Sequence, residues 1–272
     1  MSWFSTELDS AIMLWRLERA DGVTLGFAAH DRDVWRGNIQ YRAAPGMRPS
    51  AIELHGNPEA ETMDVEGVLS SDAIDEDDLA AGRWDRARMA IGIADWQDAD
   101  RQPDWILEAQ FGEIIRREDS FQVELLSGKN VLNQALCPRT SPSCRAEFGD
   151  RACGLSRSRF RRLASVTAVD EANAAISFAG IDANIAQNFV EGDVHWVSGV
   201  NRGLSQRVIS VDGAGLCLLP SPYFSIMPGD KARLTQGCDK TLATCQNRYA
   251  NVINFRGEPH LPGNDLLTRF PN

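Results

Sequence analysis

No apolar run in this chain approaches the roughly 18 residues that a bilayer-spanning helix needs, so a membrane span is not indicated. Low-complexity tracts and repeats of fixed period are also missing. There is no GxGxxG fingerprint to bind the nucleotide or flavin of a redox enzyme. The opening residues MSWFSTELDS lack the basic stretch and apolar run of a secretory signal, so the thiols are expected to be made in a reducing cytosol. Neither half has the strongly basic balance of a protein that grips nucleic acid through its phosphates. Histidine is scarce: His30, His55, His195 and His260 are scattered, none within a few residues of a cysteine, which leaves a mixed Cys/His metal site with little support.

What the chain does contain is two cysteine pairs. Cys144 and Cys153 lie in SCRAEFGDRACGL, Cys238 and Cys245 in GCDKTLATCQNRY, and 84 residues of mostly strand-like sequence separate the pairs. Four thiolates gathered on one centre suit a borderline or soft metal such as zinc or iron far better than magnesium or calcium. Buried inert thiols or disulfides are the alternatives, but a disulfide framework belongs to oxidising compartments and to chains too small to bury a core, and this one has 272 residues. The spacers exceed those of ordinary zinc fingers, and spacing does not choose the metal. Cys137 repeats the six-residue spacing and is a reserve ligand; Cys217, in the apolar run GLCLLP, reads as a small core hydrophobe.

Charge divides the chain. Residues 1–136 carry 26 acidic and 13 basic side chains, net −13, and residues 137–272 carry 12 and 15, net +3. The contrast predicts two domains, 1–136 and 137–272, the second holding an inserted β module at about 163–236. Alternation predicts a hairpin in AIMLWRLERADGVTLGFAAHD turning at Ala20-Asp21-Gly22, and strands in GNIQYRAA, ARMAIGIADW, DWILEAQFGEIIRRED and SFQVELLSG. SSDAIDEDDLAAG predicts a helix capped by Ser71 or Asp72 and ended by Gly82; its acids Asp72, Asp75, Glu76, Asp77 and Asp78 lack the glycine and late glutamate of a calcium loop. ASVTAVDEANAAISFAG, GDVHWVSGVN, SQRVISVDGAGLCLLPSPY and GDKARLTQG predict a small antiparallel barrel or sandwich whose closure would bring the cysteine pairs together. The expected fold is therefore mainly β: two β-rich domains with few short helices, the second clipped by a four-cysteine metal site.

Arg139, Arg145, Arg151, Arg157, Arg159, Arg161 and Arg162 crowd the first pair. They form either a solvated face or a screen for the negative charge of four metal-bound thiolates. The terminal stretch NRYANVINFRGEPHLPGNDLL predicts a loop or an arm lying on a neighbour.

The segments CRAEFGDRACGL and GCDKTLATCQNRYANVINFRGEPHLPG resemble the C-terminal domain of the phage tail-tip and baseplate hub family of prophages and gene transfer agents. Their cysteine pattern is also similar to that of the tail-tip protein L of lambda-like phages, and the first half resembles the preceding hub domain through weaker motifs. The resemblance implies a virion structural protein, not an enzyme, made in the bacterial cytoplasm and assembled into the tail tip of a phage-like particle. It implies a homo-oligomeric ring, a trimer, between the distal tail ring protein and a central fibre or host-contact protein, with DNA present only in transit. It also implies a [4Fe–4S] iron–sulfur cluster held by Cys144, Cys153, Cys238 and Cys245, zinc being the alternative. One departure stands out, since Gly257-Glu258-Pro259 places a charge where the family often has Gly-Phe-Pro. The rival function is a tail-associated cysteine hydrolase acting on the cell wall, pairing Cys137 or Cys144 with His195 or His260, though no local signature accompanies those residues.

Overall fold

The structure is a computed structural model that describes residues 10–43, 48–49, 62–68, 74–116, 120–128, 137 and 139–260. The chain divides into two compact units, Met1–Leu136 and Cys137–Asn272.

The first unit is one nine-stranded sheet. Its strands are β1 (Ala11–Glu18), β2 (Thr24–Ala28), β3 (Val34–Arg36), β4 (Ile39–Ala43), β5 (Arg48–Pro49), β6 (Thr62–Val68), β7 (Arg88–Asp95), β8 (Asp104–Arg116) and β9 (Ser120–Ser127), in the order β3-β4-β2-β1-β7-β8-β9-β6-β5. The expected hairpin joins β1 to β2, with Glu18 opposite Thr24 and Gly22 in the left-handed region at φ +90°. All neighbours run antiparallel except β2 and β4, a parallel pair that alternation could not reveal. The sheet is covered at its centre on both sides: Leu14 and Trp15, adjacent on β1 and so on opposite faces, are both fully buried, in separate apolar clusters.

Helix α1 (Glu76–Ala80) lies within the stretch expected to be helical but is capped by Asp75, whose side chain accepts from Asp78 N. The caps expected at Ser71 and Asp72 lie outside the described residues. Gly82, at φ +77°, follows the helix as expected. The acids of this stretch have structural work: Asp78 pairs with Arg19 and Arg83, and Leu79 reaches the core around Trp84.

The second unit contains a closed antiparallel barrel of six strands. These are β10 (Arg161–Asp170), β11 (Ala175–Phe178), β12 (Asp193–Trp196), β13 (Ser205–Asp212), β14 (Gly215–Leu219) and β15 (Lys231–Thr235), ordered β10-β11-β14-β13-β12-β15. Alternation is kept inward: Val194 and Trp196 on β12, Leu216 and Leu218 on β14, and Ala232 and Leu234 on β15 are all buried. Trp196 Nε1 donates to Gln206 Oε1 at 2.6 Å, so the polar edge of the largest interior side chain is satisfied. The same alternation corrects the reading of Cys217. Its strand neighbours point in and Cys217 is half-buried, with its thiol donating to Asn173 O at 3.8 Å.

Barrel closure joins the first strand to the last, Arg161 opposite Thr235, and this places the two cysteine segments side by side at one end. Two short helices escaped the strand-oriented reading, α2 (Ala183–Ala186) and α3 (Leu242–Asn247), the latter carrying Cys245. The barrel is the one expected, and backbone pairing of β10 with β15 holds its ends together. All six cysteines carry free thiols, and among the described residues no group of three or more His, Cys, Asp or Glu side chains is disposed to hold a metal ion.

Candidate cysteine centre

Four segments converge beside the barrel closure. Cys144 N donates to Lys240 O at 2.8 Å, linking the first cysteine segment to the turn between Cys238 and Cys245. Lys240 holds φ +62°, which allows its N–H to hydrogen-bond the Cys238 sulfur, while its ammonium donates to Ala146 O at 2.5 Å. Thr241 caps α3 by accepting from Thr244 N, and Cys245 is buried in that helix.

Gly237 explains the Gly-Cys pair. A Cβ there would lie 1.8 Å from Val190 O, so only glycine lets this backbone pass the Gly192 turn. Tyr249 donates its hydroxyl to Gly237 O and packs with Phe148 and Phe160, ring centroids 5.0 and 5.1 Å away, as an aromatic wall under the centre.

The Asn-x-x-Asn-Phe run has an equally physical role. Asn251, nearly fully buried, donates to Cys153 O at 2.7 Å and reaches Cys153 Sγ at 3.8 Å. Its Oδ1 accepts from Asn254 Nδ2 at 2.8 Å. Asn254 fits over Gly154, which sits at φ +72° and whose missing Cβ would stand 3.0 Å from Asn254 Nδ2. Arg256 N then donates to Cys144 Sγ at 3.3 Å.

The sulfurs interact with one another. Burial pushes the Cys245 thiol up, and charge on Cys144, Cys238 and Cys153 pushes it further. Burial likewise raises Cys238, opposed by the Lys240 N–H and ammonium and reinforced by Asp239 and Cys144. The structure places Cys144, Cys153, Cys238 and Cys245 on the segments that meet beside the barrel closure, where no metal-holding group forms among the described residues, while Cys137 stands exposed and Cys217 lies on the barrel wall. Sulfurs on Cys144, Cys153 and Cys238 each face an N–H donor, an arrangement that favours the thiolate form.

Of the crowded arginines, Arg145 pairs with Glu258 and feels the Cys144 charge, and Arg157 pairs with Asp193 at 2.7 Å. Lys240, the cation beside Cys238, went unnoticed in the sequence because its role comes from its positive φ. His195 Nδ1 lies 2.8 Å from Ser205 Oγ on the barrel wall. Burial, Arg233 and Arg161 hold its pKa down, so its surroundings are a serine and two arginines, not the cysteine a hydrolase requires. The terminal arm, as far as His260, folds onto its own unit: Glu258 N donates to Ser141 O at 2.7 Å and Arg145 N to Arg256 O at 3.1 Å.

A nine-stranded sheet unit and a closed six-stranded barrel with the cysteine segments at one end define a mainly β protein of two units. The family model "Baseplate hub protein, N-terminal attachment domain" matches residues 5–156, more than half of the chain, and the chain belongs to this family of structural baseplate hub proteins. A second model, "Phage conserved hypothetical protein BR0599", matches residues 187–265. No curated protein matches the chain. Among solved structures, a chain of the "Virion of native gene transfer agent (GTA) particle" is 29% identical with a TM-score of 0.83, the match covering 99% of this chain and 94% of that one.

Proposed function

We propose that the protein is a tail-tip hub of a phage-like particle or gene transfer agent, assembled as a homo-oligomeric ring, a trimer, that forms part of the DNA-delivery channel. The observation that carries this reading is the nearly full-length likeness to a chain of a gene transfer agent virion, spanning both units. Within such a particle it would sit between the distal tail ring and a central fibre or host-contact protein. The acidic balance of residues 1–136 suits a channel wall past which DNA phosphates move without sticking. Deleting the gene from a producing strain should leave tails without tips. Complete, infective or gene-transferring particles in its absence would overturn the reading.

In this reading, Cys144, Cys153, Cys238 and Cys245 hold a structural [4Fe–4S] cluster. Support comes from the hydrogen-bonded approach of the two cysteine segments, from the N–H donors on three of the sulfurs and from the Lys240 ammonium, which would offset the negative charge of a thiolate-bound cluster. When bound, the cluster would tie the two cysteine segments together. Anaerobically purified protein should be brown and contain iron and acid-labile sulfide in comparable amounts. Replacing any one of the four by serine should remove both, while Cys217→Ser should retain them. Stoichiometric zinc without labile sulfide in an iron-replete anaerobic preparation would replace the cluster with the zinc alternative.

A further inference from the structure

The outer wall of the barrel across β10, β15 and β12 combines cations with exposed apolar side chains. Leu163 stands opposite Arg233, and Ser165 opposite Lys231, on β10 and β15. His195 stands opposite the same Arg233 from β12, and Arg161 lies close enough to depress His195. None of Arg161, Lys231 and Arg233 forms an ion pair among the described residues. At the centre of this wall Leu163 is 66% exposed.

The wall continues into two loops at the barrel rim, 197–204 and 220–230. Val197 N donates to Lys231 O, which ties the first loop to the edge of the cationic wall. Val197, Val200, Tyr223 and Met227 are exposed there, Met227 at 62%. The rim is nevertheless rigidly built. Asn201, 1% exposed, donates to Phe224 O at 2.9 Å and to Ser225 O at 3.3 Å and accepts from Phe224 N, while Lys231 N donates to Ser198 Oγ. A preorganised surface that mixes arginine, methionine, tyrosine and aliphatic side chains has the composition of a protein–protein contact.

We infer that this apolar, cationic wall of the barrel is the contact surface for a second copy of the same chain. Charge complementarity selects the occupant: the chain as a whole is net −10, so a wall bearing unpaired cations finds its complement on the predominantly acidic remainder of a neighbouring copy. Duplex DNA would satisfy the cations but offer nothing to Leu163, Met227 and Tyr223. A wall that meets a different surface of the next copy makes a heterologous contact, the kind that closes into a ring. The inference rests on the ring reading of the protein and adds the surface that builds the ring.

Analytical ultracentrifugation of the full chain, outside the particle and across protein concentration and salt, tests this. Wild type should associate, less so as salt rises, and Arg161→Glu with Arg233→Glu should weaken association by roughly tenfold or more. Leu163→Ser, which leaves charge and barrel pairing intact, should weaken it without restoring or removing the salt dependence. Circular dichroism checks that the variants fold. A folded pair of variants that associates like wild type overturns the surface while sparing the ring. A wild type that stays monomeric at every concentration overturns both. Binding of a random-sequence duplex DNA fragment that is lost in the double variant, with association unchanged, assigns the wall to nucleic acid instead.

Discussion

Glu258 accepts both arms of the Arg145 guanidinium, at 2.5 and 2.7 Å, across 113 residues of sequence. The same carboxylate accepts from Ser141 N at 3.0 Å. The Glu258 charge thus fastens the terminal arm to the first cysteine segment. The Arg145 bond, helped by the Ser141 N–H, holds the Glu258 carboxyl down to about 2.

This gives a pH prediction. A carboxyl whose folded pKa is depressed stabilises the fold above its unfolded value of about 4.3, and that contribution disappears as pH falls toward the folded value. The Glu258→Gln protein should therefore have a lower Tm than wild type at neutral pH, with the difference closing as pH is lowered from about 4.3 toward about 2. Thermal melts of both proteins through that range check it; a difference that grows on acidification would refute the role of the pair.

Asn251→Ala should destabilise the second unit by about 1–3 kcal/mol, because it strands Cys153 O and Asn254 in a buried setting. Chemical denaturation measures the loss. Asn251→Asp keeps the size and the acceptor but loses the N–H donor to Cys153, so it should fail to rescue.

Gly237→Ala should be among the most damaging small changes, costing about 1–3 kcal/mol or more, since its Cβ would overlap Val190 O and the Gly192 backbone. Gly213→Ala offers the contrast. No atom lies within 4 Å of its Cβ, so only the φ of +57° opposes it. Equal losses in the two variants would contradict the close-approach explanation.

Trp84→Ala should cost about 3–5 kcal/mol in the first unit. Trp84 is fully buried, stacks on Phe111 at 6.3 Å and carries the Arg19 guanidinium at 5.4 Å from a ring centroid. Hydrogen exchange should show the loss in strands β1, β7 and β8, with amide protection in the barrel unchanged.

Asp75→Ala removes the α1 cap and should cost about 1 kcal/mol, whereas Glu76→Ala, which caps nothing, should cost much less. Denaturant midpoints for the two variants at equal slope decide between them.

Period-two alternation and turn residues made most of the strands legible in the sequence, because both are local properties of a few consecutive residues. The inserted barrel was legible for the same reason, because the strands β10 to β15 alternate clearly, and the meeting of the two cysteine segments follows from each lying just outside them. Tertiary structure alone decided the parallel β2–β4 pairing, the burial of β1 on both faces and the outward position of Cys217, all of which depend on which strands become neighbours. It alone also decided that Asn251 and Arg256 would supply N–H groups to sulfurs far away in the chain, and that Glu258 would find Arg145. Such partnerships carry no local signal. They exist because the barrel joins β10 to β15 and so brings distant segments within hydrogen-bond reach.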